Sequence, residues 1–100
     1  MGKRYNSIPN LDKVLHSLSH PTRRRIFEYA CTKDLQVDDL TFLLNERYHG
    51  IYKHLSVLIE DGLIESTADG KHRYYAAKTN SLIALEAWTK ANSTIITQRM

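Results

Sequence analysis

The apolar positions in the first third of the chain recur every three or four residues, a spacing that places side chains on one face of a helix. A first helix is predicted at residues 10–18, where the apolar positions are Leu11, Val14, Leu15 and Leu18. Pro21 separates it from a second helix, because proline does not continue a helix but fits the first position of a new one. The second helix is predicted to turn four side chains inward: Ile26, Phe27, Ala30 and Cys31.

The middle of the chain contains a short helix followed closely by a longer one. Asp38 and Asp39 supply negative charge where a helix dipole favours it, so a third helix is predicted at residues 38–44, with Leu40, Leu43 and Leu44 as its apolar positions. The fourth helix is predicted at residues 47–60, and its inward side chains are expected to be Ile51, Leu55, Leu58 and Ile59. Gly62 is a strong stop signal for it.

The last part of the chain changes to a strand pattern and then returns to a helix. Residues 63–67 and 71–76 are rich in strand-forming types and flank Asp69-Gly70, a pair that favours tight hairpin turns. A final helix, capped by Asn80 or Ser81, is predicted at residues 80–97, with apolar positions at Leu82, Leu85, Trp88, Ile95 and Ile96. The predicted fold is mainly α, with four helices, a two-stranded β-hairpin and a long closing helix.

Composition limits this fold to one domain. The chain has 100 residues, of which 42% are hydrophobic and 25% charged, as in an ordinary globular domain. We therefore treat residues 1–100 as one domain and expect residues 1–8 to be flexible. The formal net charge of +3 favours an acidic partner only mildly. No apolar stretch is long enough to span a membrane and the N-terminus lacks an apolar signal region, which predicts a cytoplasmic protein without a membrane partner.

The third and fourth helices have the pattern of a helix-turn-helix, in which the second helix enters the major groove of DNA. The side of the fourth helix opposite its apolar face carries side chains suited to bases and phosphates. These are Tyr48, His49, Tyr52, Lys53 and Ser56. The hairpin is then a wing, whose Lys71, His72 and Arg73 are expected to lie over the adjacent minor groove or backbone. Arg25 and Arg47 complete the predicted DNA-binding set.

Three segments resemble the ArsR-type winged helix-turn-helix regulators. Residues 18–26 (LSHPTRRRI) resemble the entry to their second helix, residues 51–64 (IYKHLSVLIEDGLI) resemble their recognition helix and its exit, and residues 70–75 (GKHRYY) resemble their wing. Each segment alone is only moderately specific. Their order and intervals together make the resemblance strong.

This resemblance implies a transcription factor, usually a repressor, that binds a palindromic operator as a homodimer joined through its first and last helices. The apolar faces predicted on those two helices fit this role independently. The predicted interface residues are Leu11, Val14, Leu15, Leu18, Leu82, Leu85 and Trp88. The predicted function is sequence-specific regulation on double-stranded DNA, and the alternative is a winged-helix module that binds another protein. No enzymatic activity is expected, since no glycine-rich phosphate loop and no nucleophile with an evident base are present.

The chain departs from the resemblance at positions that bind metals in many members. Gln36 and Asp38 occupy the two positions of a Cys-x-Cys pair at the start of the third helix, and no histidine follows His72 for a second family site on the closing helix. His16 and His20 are four residues apart but have no further ligands in the pattern. We therefore expect no metal and no cofactor.

Several single residues carry further expectations. His20 stands where the family usually has aspartate, so the cap of the second helix is expected to be weaker or to come from Ser19. Cys31 is expected to be buried and inert, because nothing basic beyond Lys33 lies near it in sequence. His49, His54 and His72 are expected to gain charge near pH 6 and to strengthen DNA binding.

Overall fold

The computed structural model describes residues 8–99. Within them the elements follow in the order α1 (Leu11–Leu18), α2 (Pro21–Thr32), α3 (Val37–Leu44), α4 (Tyr48–Glu60), β1 (Ile64–Asp69), β2 (His72–Ala77) and α5 (Ile83–Arg99). This is the predicted order, and the winged helix-turn-helix fold is confirmed. Of the segment predicted to be flexible, residues 1–7 lie outside the described residues.

The junction between α1 and α2 is held by side chains that cap both helices. The Asn10 side chain accepts a hydrogen bond from the Lys13 amide at the start of α1 (2.9 Å). At the start of α2, Nδ1 of His20 accepts from the Thr22 amide (3.1 Å). The Ser19 hydroxyl instead donates to the His16 carbonyl (2.8 Å). His20 itself therefore caps α2, so of the two alternatives the one in which Ser19 supplies the cap is wrong.

One core joins α1, α2, α3, α4 and the hairpin. Its buried apolar residues are Val14, Ile26, Phe27, Ala30, Leu35, Val37, Leu40, Ile51, Leu55, Leu58, Leu63, Ile64 and Tyr75. Leu35, in the connection from α2 to α3, forms an isolated antiparallel bridge with Tyr75 of β2 through hydrogen bonds of 2.9 and 2.7 Å. This bridge fixes the wing to the helical body.

Two side chains predicted to face the core, Cys31 and Ile59, are exposed, and so is Leu43, one of the apolar positions predicted for α3. Cys31 is exposed at the end of α2, so the expectation of a buried thiol is wrong. Leu43 and Ile59 are 37% and 38% exposed. Leu43 precedes the partly buried Leu44, and Ile59 follows the buried Leu58. A step of one residue turns a side chain about 100° around the helix axis. Leu43 and Ile59 therefore lie at the edge of the apolar faces of α3 and α4, where the neighbouring elements decide whether a side chain is buried.

The hairpin turn lies one residue later than predicted. Asp69 pairs with His72, so Gly70 and Lys71 form the two-residue turn. Gly70 has a φ of +64°, whereas Lys71 is not among the residues of positive φ, which is the pattern of a type II′ turn with glycine first. Lys71 therefore stands at the tip of the wing.

The closing helix begins three residues later than predicted. α5 starts at Ile83, and the Ser81 hydroxyl donates to the Lys78 carbonyl (2.7 Å) instead of capping the helix. No residue of α5 is buried. None of the helices within residues 8–99 is long and apolar enough to cross a membrane.

Candidate nucleic-acid interface

The position of α4 is fixed by its buried side and by its C-terminus. Ile51, Leu55 and Leu58 are at most 1% exposed and anchor the helix in the core. At the end of the helix the Gly62 amide donates to the Ile59 carbonyl (3.0 Å), and the Leu63 amide donates to the Leu58 carbonyl (2.9 Å). These two bonds form a Schellman motif, which needs the positive φ of +89° that Gly62 has. The outer side of α4 therefore has a defined orientation.

The outer side of α4 carries the residues predicted to contact DNA. Those exposed on or next to this helix are Arg47, Tyr48, His49, Tyr52, Lys53 and Ser56. Tyr48 and Tyr52 are one helical turn apart and about half exposed, at 53% and 50%. Their ring centroids are 6.3 Å apart and the ring planes differ by 22°, so the two rings are stacked. The N-terminal half of α4 thus presents a flat aromatic surface with cations beside it.

Tyr48 is also held by α3. Its hydroxyl donates a hydrogen bond to Oδ1 of Asp38, in the first turn of α3. The Asp38 carboxylate raises the pKa of Tyr48 above its ordinary value, because it stabilises the protonated phenol and repels a phenolate. This contact between the two helices of the helix-turn-helix was not predicted from the sequence.

A groove of about 620 Å³ separates α4 from the wing. Tyr48 and Tyr52 line one side of it, and Lys71, His72 and Arg73 line the other. The structure thus brings the predicted wing residues and the two tyrosines of α4 around one open space. A guanidinium nitrogen of Arg73 donates to the Ser66 hydroxyl across the hairpin (3.1 Å). Nε2 of the Gln36 side chain and Nδ1 of His72 are hydrogen-bonded at 2.9 Å.

Only one of three consecutive arginines on α2 lacks a partner among the described residues. Nε of Arg23 donates to the Ser17 carbonyl (2.7 Å) and Nη1 of Arg24 to the Leu18 carbonyl (2.7 Å), so both hold the end of α1. Arg25 is exposed, and no hydrogen bond or ion pair joins its side chain to residues 8–99. Its role at DNA stays a prediction.

His54 faces α2 instead of solvent. Its ring centroid is 4.4 Å from that of His20, and its Nδ1 accepts from the Arg23 guanidinium at 3.5 Å. Partial burial, followed by the charges of His20 and Arg23, lowers the pKa of His54 below its ordinary value. This shift opposes the expectation that His54 gains charge near pH 6, and a role of His54 in DNA binding stays a prediction.

A buried carboxylate that the sequence did not reveal ties α1 to the end of α4. Asp61 accepts hydrogen bonds from the Ser17 hydroxyl (2.8 Å) and from Nδ1 of His16 (2.6 Å). His16 and His20, considered above as a metal pair, thus have separate partners. Residues 8–99 contain no group of three or more side chains able to hold a metal ion.

The residues predicted to form a dimer interface have different environments. Val14 is fully buried in the core of the single chain, so it has no surface to offer a second copy and the prediction is corrected there. Leu15 and Trp88 are 45% and 51% exposed. The other four, all partly buried, are Leu11, Leu18, Leu82 and Leu85. The last three of these line, with Phe27 and Cys31, an apolar groove of about 390 Å³.

Solved structures share this arrangement. A structure named "possible transcriptional regulator for arsenical resistance" is 30% identical, with a TM-score of 0.71 over 79% of this chain and 82% of that one. An ArsR-like transcriptional regulator from Rhodococcus sp. RHA1 is 27% identical, with a TM-score of 0.71 over 88% and 78%. Another ArsR family regulator shares the fold at 23% identity, with a TM-score of 0.78 over 90% and 93%. No family model and no curated protein matches the chain.

The fold and the exposed side of α4 define a winged helix-turn-helix transcription regulator. The 30% identity over most of the arsenical-resistance regulator extends the likeness from fold to sequence. The chain belongs to the ArsR family of these regulators.

Proposed function

We propose that this chain is a repressor that binds a palindromic operator as a homodimer. In this proposal α4 enters the major groove, and the wing lies over the adjacent minor groove or backbone. The observation that carries the proposal is the two-sided character of α4. One side is fixed in the core by Ile51, Leu55 and Leu58, and the other exposes Tyr48, Tyr52 and Lys53 next to the wing.

Charge supports contact with phosphates on this side. Arg47, just before α4, and Lys53 on α4 are exposed, as are Lys71 and Arg73 on the wing. Among residues 8–99 none of these four cations forms an ion pair with a carboxylate. Because protein cations that neutralise phosphates release condensed counterions, binding through them must weaken steeply as salt is raised.

Exposed apolar side chains support the homodimer. Trp88, Ile95 and Ile96 on α5 are between 51% and 61% exposed, and covering such a surface with a second copy removes it from water. A winged helix-turn-helix domain from Mycobacterium bovis with this fold is homodimeric. BigR from Xylella fastidiosa, which also shares the fold, is a transcriptional repressor.

Selection from a random pool of double-stranded DNA tests the proposal most directly. We expect a palindromic consensus whose half-sites are separated by about 10 base pairs, one helical turn. The proposal fails if the protein recovers no consensus, or binds random and selected DNA equally under competition. A protein-interaction module on this scaffold would give that second result.

The double substitution Lys53→Ala and Arg73→Ala tests the assigned surface. It is expected to weaken operator binding at least tenfold and to make the plot of log affinity against log salt shallower by about 0.9 for each phosphate that is no longer neutralised. The dimer should stay intact. The matched control Lys13→Ala with Lys33→Ala removes two exposed cations that do not line the groove. If both double variants have equal affinity, the assigned surface is incorrect.

A further inference from the structure

The hydroxyl of Tyr48 has only one proton, and it is engaged in the hydrogen bond that the hydroxyl donates to Asp38. Asp38 lies in the first turn of α3, and its Oδ1 is the acceptor of this hydrogen bond. An ionised carboxylate accepts hydrogen bonds and donates none. The proton between the two oxygens is therefore supplied by the phenol, and the remaining capacity of the Tyr48 oxygen is its lone pairs.

The ring of Tyr48 is held in place as well as its hydroxyl. Tyr48 is the first residue of α4, and in a helix-turn-helix the N-terminal residues of the second helix contact base edges. Stacking on Tyr52 restrains the ring from one side, and the hydrogen bond to Asp38 restrains the oxygen. The hydroxyl thus has a fixed place at the end of α4 predicted to contact bases.

A fixed oxygen that can only accept hydrogen bonds distinguishes the donor groups of DNA from the acceptor groups. Phosphate oxygens, guanine O6 and N7, and thymine O4 are all acceptors, whereas the major-groove donors are the amino groups of cytosine N4 and adenine N6. An acceptor facing Tyr48 would meet lone pairs, and a phosphate would also meet the negative charge of Asp38. An amino group is the complementary partner.

We infer that Tyr48 contacts a cytosine or adenine amino group in the major groove by accepting a hydrogen bond on its hydroxyl oxygen, with Asp38 as the residue that positions this hydroxyl and fixes its polarity. The inference rests on the proposed function, because it requires α4 to lie in the major groove. It adds to that function a residue that sets base preference and does not bind phosphate.

Three variants of the full-length protein test the inference. Tyr48→Phe removes the hydroxyl and keeps the ring, whereas Asp38→Ala frees the phenol proton. The capping of α3 does not involve the Asp38 side chain, since the Asp39 carboxylate accepts from the Gln36 backbone amide (2.9 Å). The matched control, Tyr29→Phe, removes a phenol hydroxyl from α2, where the ring packs against the core. Affinity is measured for the selected operator and for all four base pairs at each of its positions, at several salt concentrations.

We expect Tyr48→Phe to lose a cytosine or adenine preference at one position of each half-site, with affinity for the preferred base falling roughly threefold to tenfold, as for one hydrogen bond. Its salt dependence should match that of the unmodified protein, because the same phosphates stay neutralised. Asp38→Ala should accept guanine or thymine at the same position, and Tyr29→Phe should keep the original preferences.

Three results would overturn the inference while leaving the regulator intact. They are unchanged base preferences in Tyr48→Phe, a preference lost in Tyr48→Phe that Asp38→Ala keeps in full, and a shallower salt dependence in Tyr48→Phe. A protein that selects no DNA sequence at all would instead remove the proposed function, and the inference with it. The two failures are therefore separate outcomes of one data set.

Discussion

The two longest helices, α4 and α5, have opposite relations to the rest of the chain. α4 has 13 residues and buries three of its apolar side chains, whereas α5 has 17 residues and buries none. Both showed apolar spacing in the sequence. The difference teaches that periodicity predicts a helix and its apolar face but not what covers that face. α4 is covered within its own chain, and in our proposal a second copy covers α5.

A core substitution in α4 gives the largest expected effect. Leu55 is 1% exposed, so Leu55→Ala is expected to lower the free energy of unfolding by about 2–5 kcal/mol, through reduced burial and the cavity left behind. The matched change on α5, Ile96→Ala, removes a side chain that is 61% exposed and should cost less than about 0.5 kcal/mol in the monomer. Denaturant unfolding at a protein concentration below the dimer dissociation constant measures both. Equal losses would mean that α5 is as well covered as α4.

The aromatic residue on α5 should matter for association instead. Trp88→Ala is expected to weaken the dimer about 30-fold, because a tryptophan at the centre of an interface commonly contributes about 2 kcal/mol. The control Phe42→Ala removes an 85% exposed aromatic side chain from α3 and should leave the dimer unchanged. Sedimentation equilibrium of both variants gives the two constants. An unchanged dimer in Trp88→Ala would place the interface elsewhere.

Proline, glycine and the spacing of apolar residues predicted most of this architecture, because each of them acts on the backbone or the helix face within a few residues. Pro21 begins α2 and Gly62 ends the turn after α4, as expected from the restricted φ of proline and the positive φ open to glycine. The spacing of Ile51, Leu55 and Leu58 also placed the outer residues of α4 correctly on the exposed side.

Long-range pairs were missed, because spacing along the chain carries no information about distance in space. Asp61 meets Ser17 across 44 positions, and Leu35 pairs with Tyr75 from a segment without strand periodicity. Tyr48 and Asp38 are only ten positions apart, yet their contact depends on how α3 packs against α4. The same limit explains Cys31 and Val14, since the neighbouring elements decide whether an apolar side chain is covered within the chain.

The smallest predicted effect concerns pH and the inner side of α4. Burial, then His20 and Arg23, lowers the pKa of His54 in the folded chain. As the pH falls through about 6.5, the ordinary pKa of histidine, His54 becomes protonated in the unfolded chain while it is still neutral in the folded chain. The free energy of unfolding must therefore decrease with falling pH in this window.

Protonation of His54 would also place a positive charge against the guanidinium of Arg23, whose hydrogen bond the neutral ring now accepts. Unfolding by denaturant at pH 7.5, 6.5 and 5.5 is expected to show a smaller loss of stability in His54→Gln than in the unmodified protein. The control His49→Gln removes an exposed histidine of the same helix and should keep the original dependence. If His54→Gln and the unmodified protein lose stability equally, His54 is not the group that resists protonation. The inner side of α4 would then be no more sensitive to pH than its outer side.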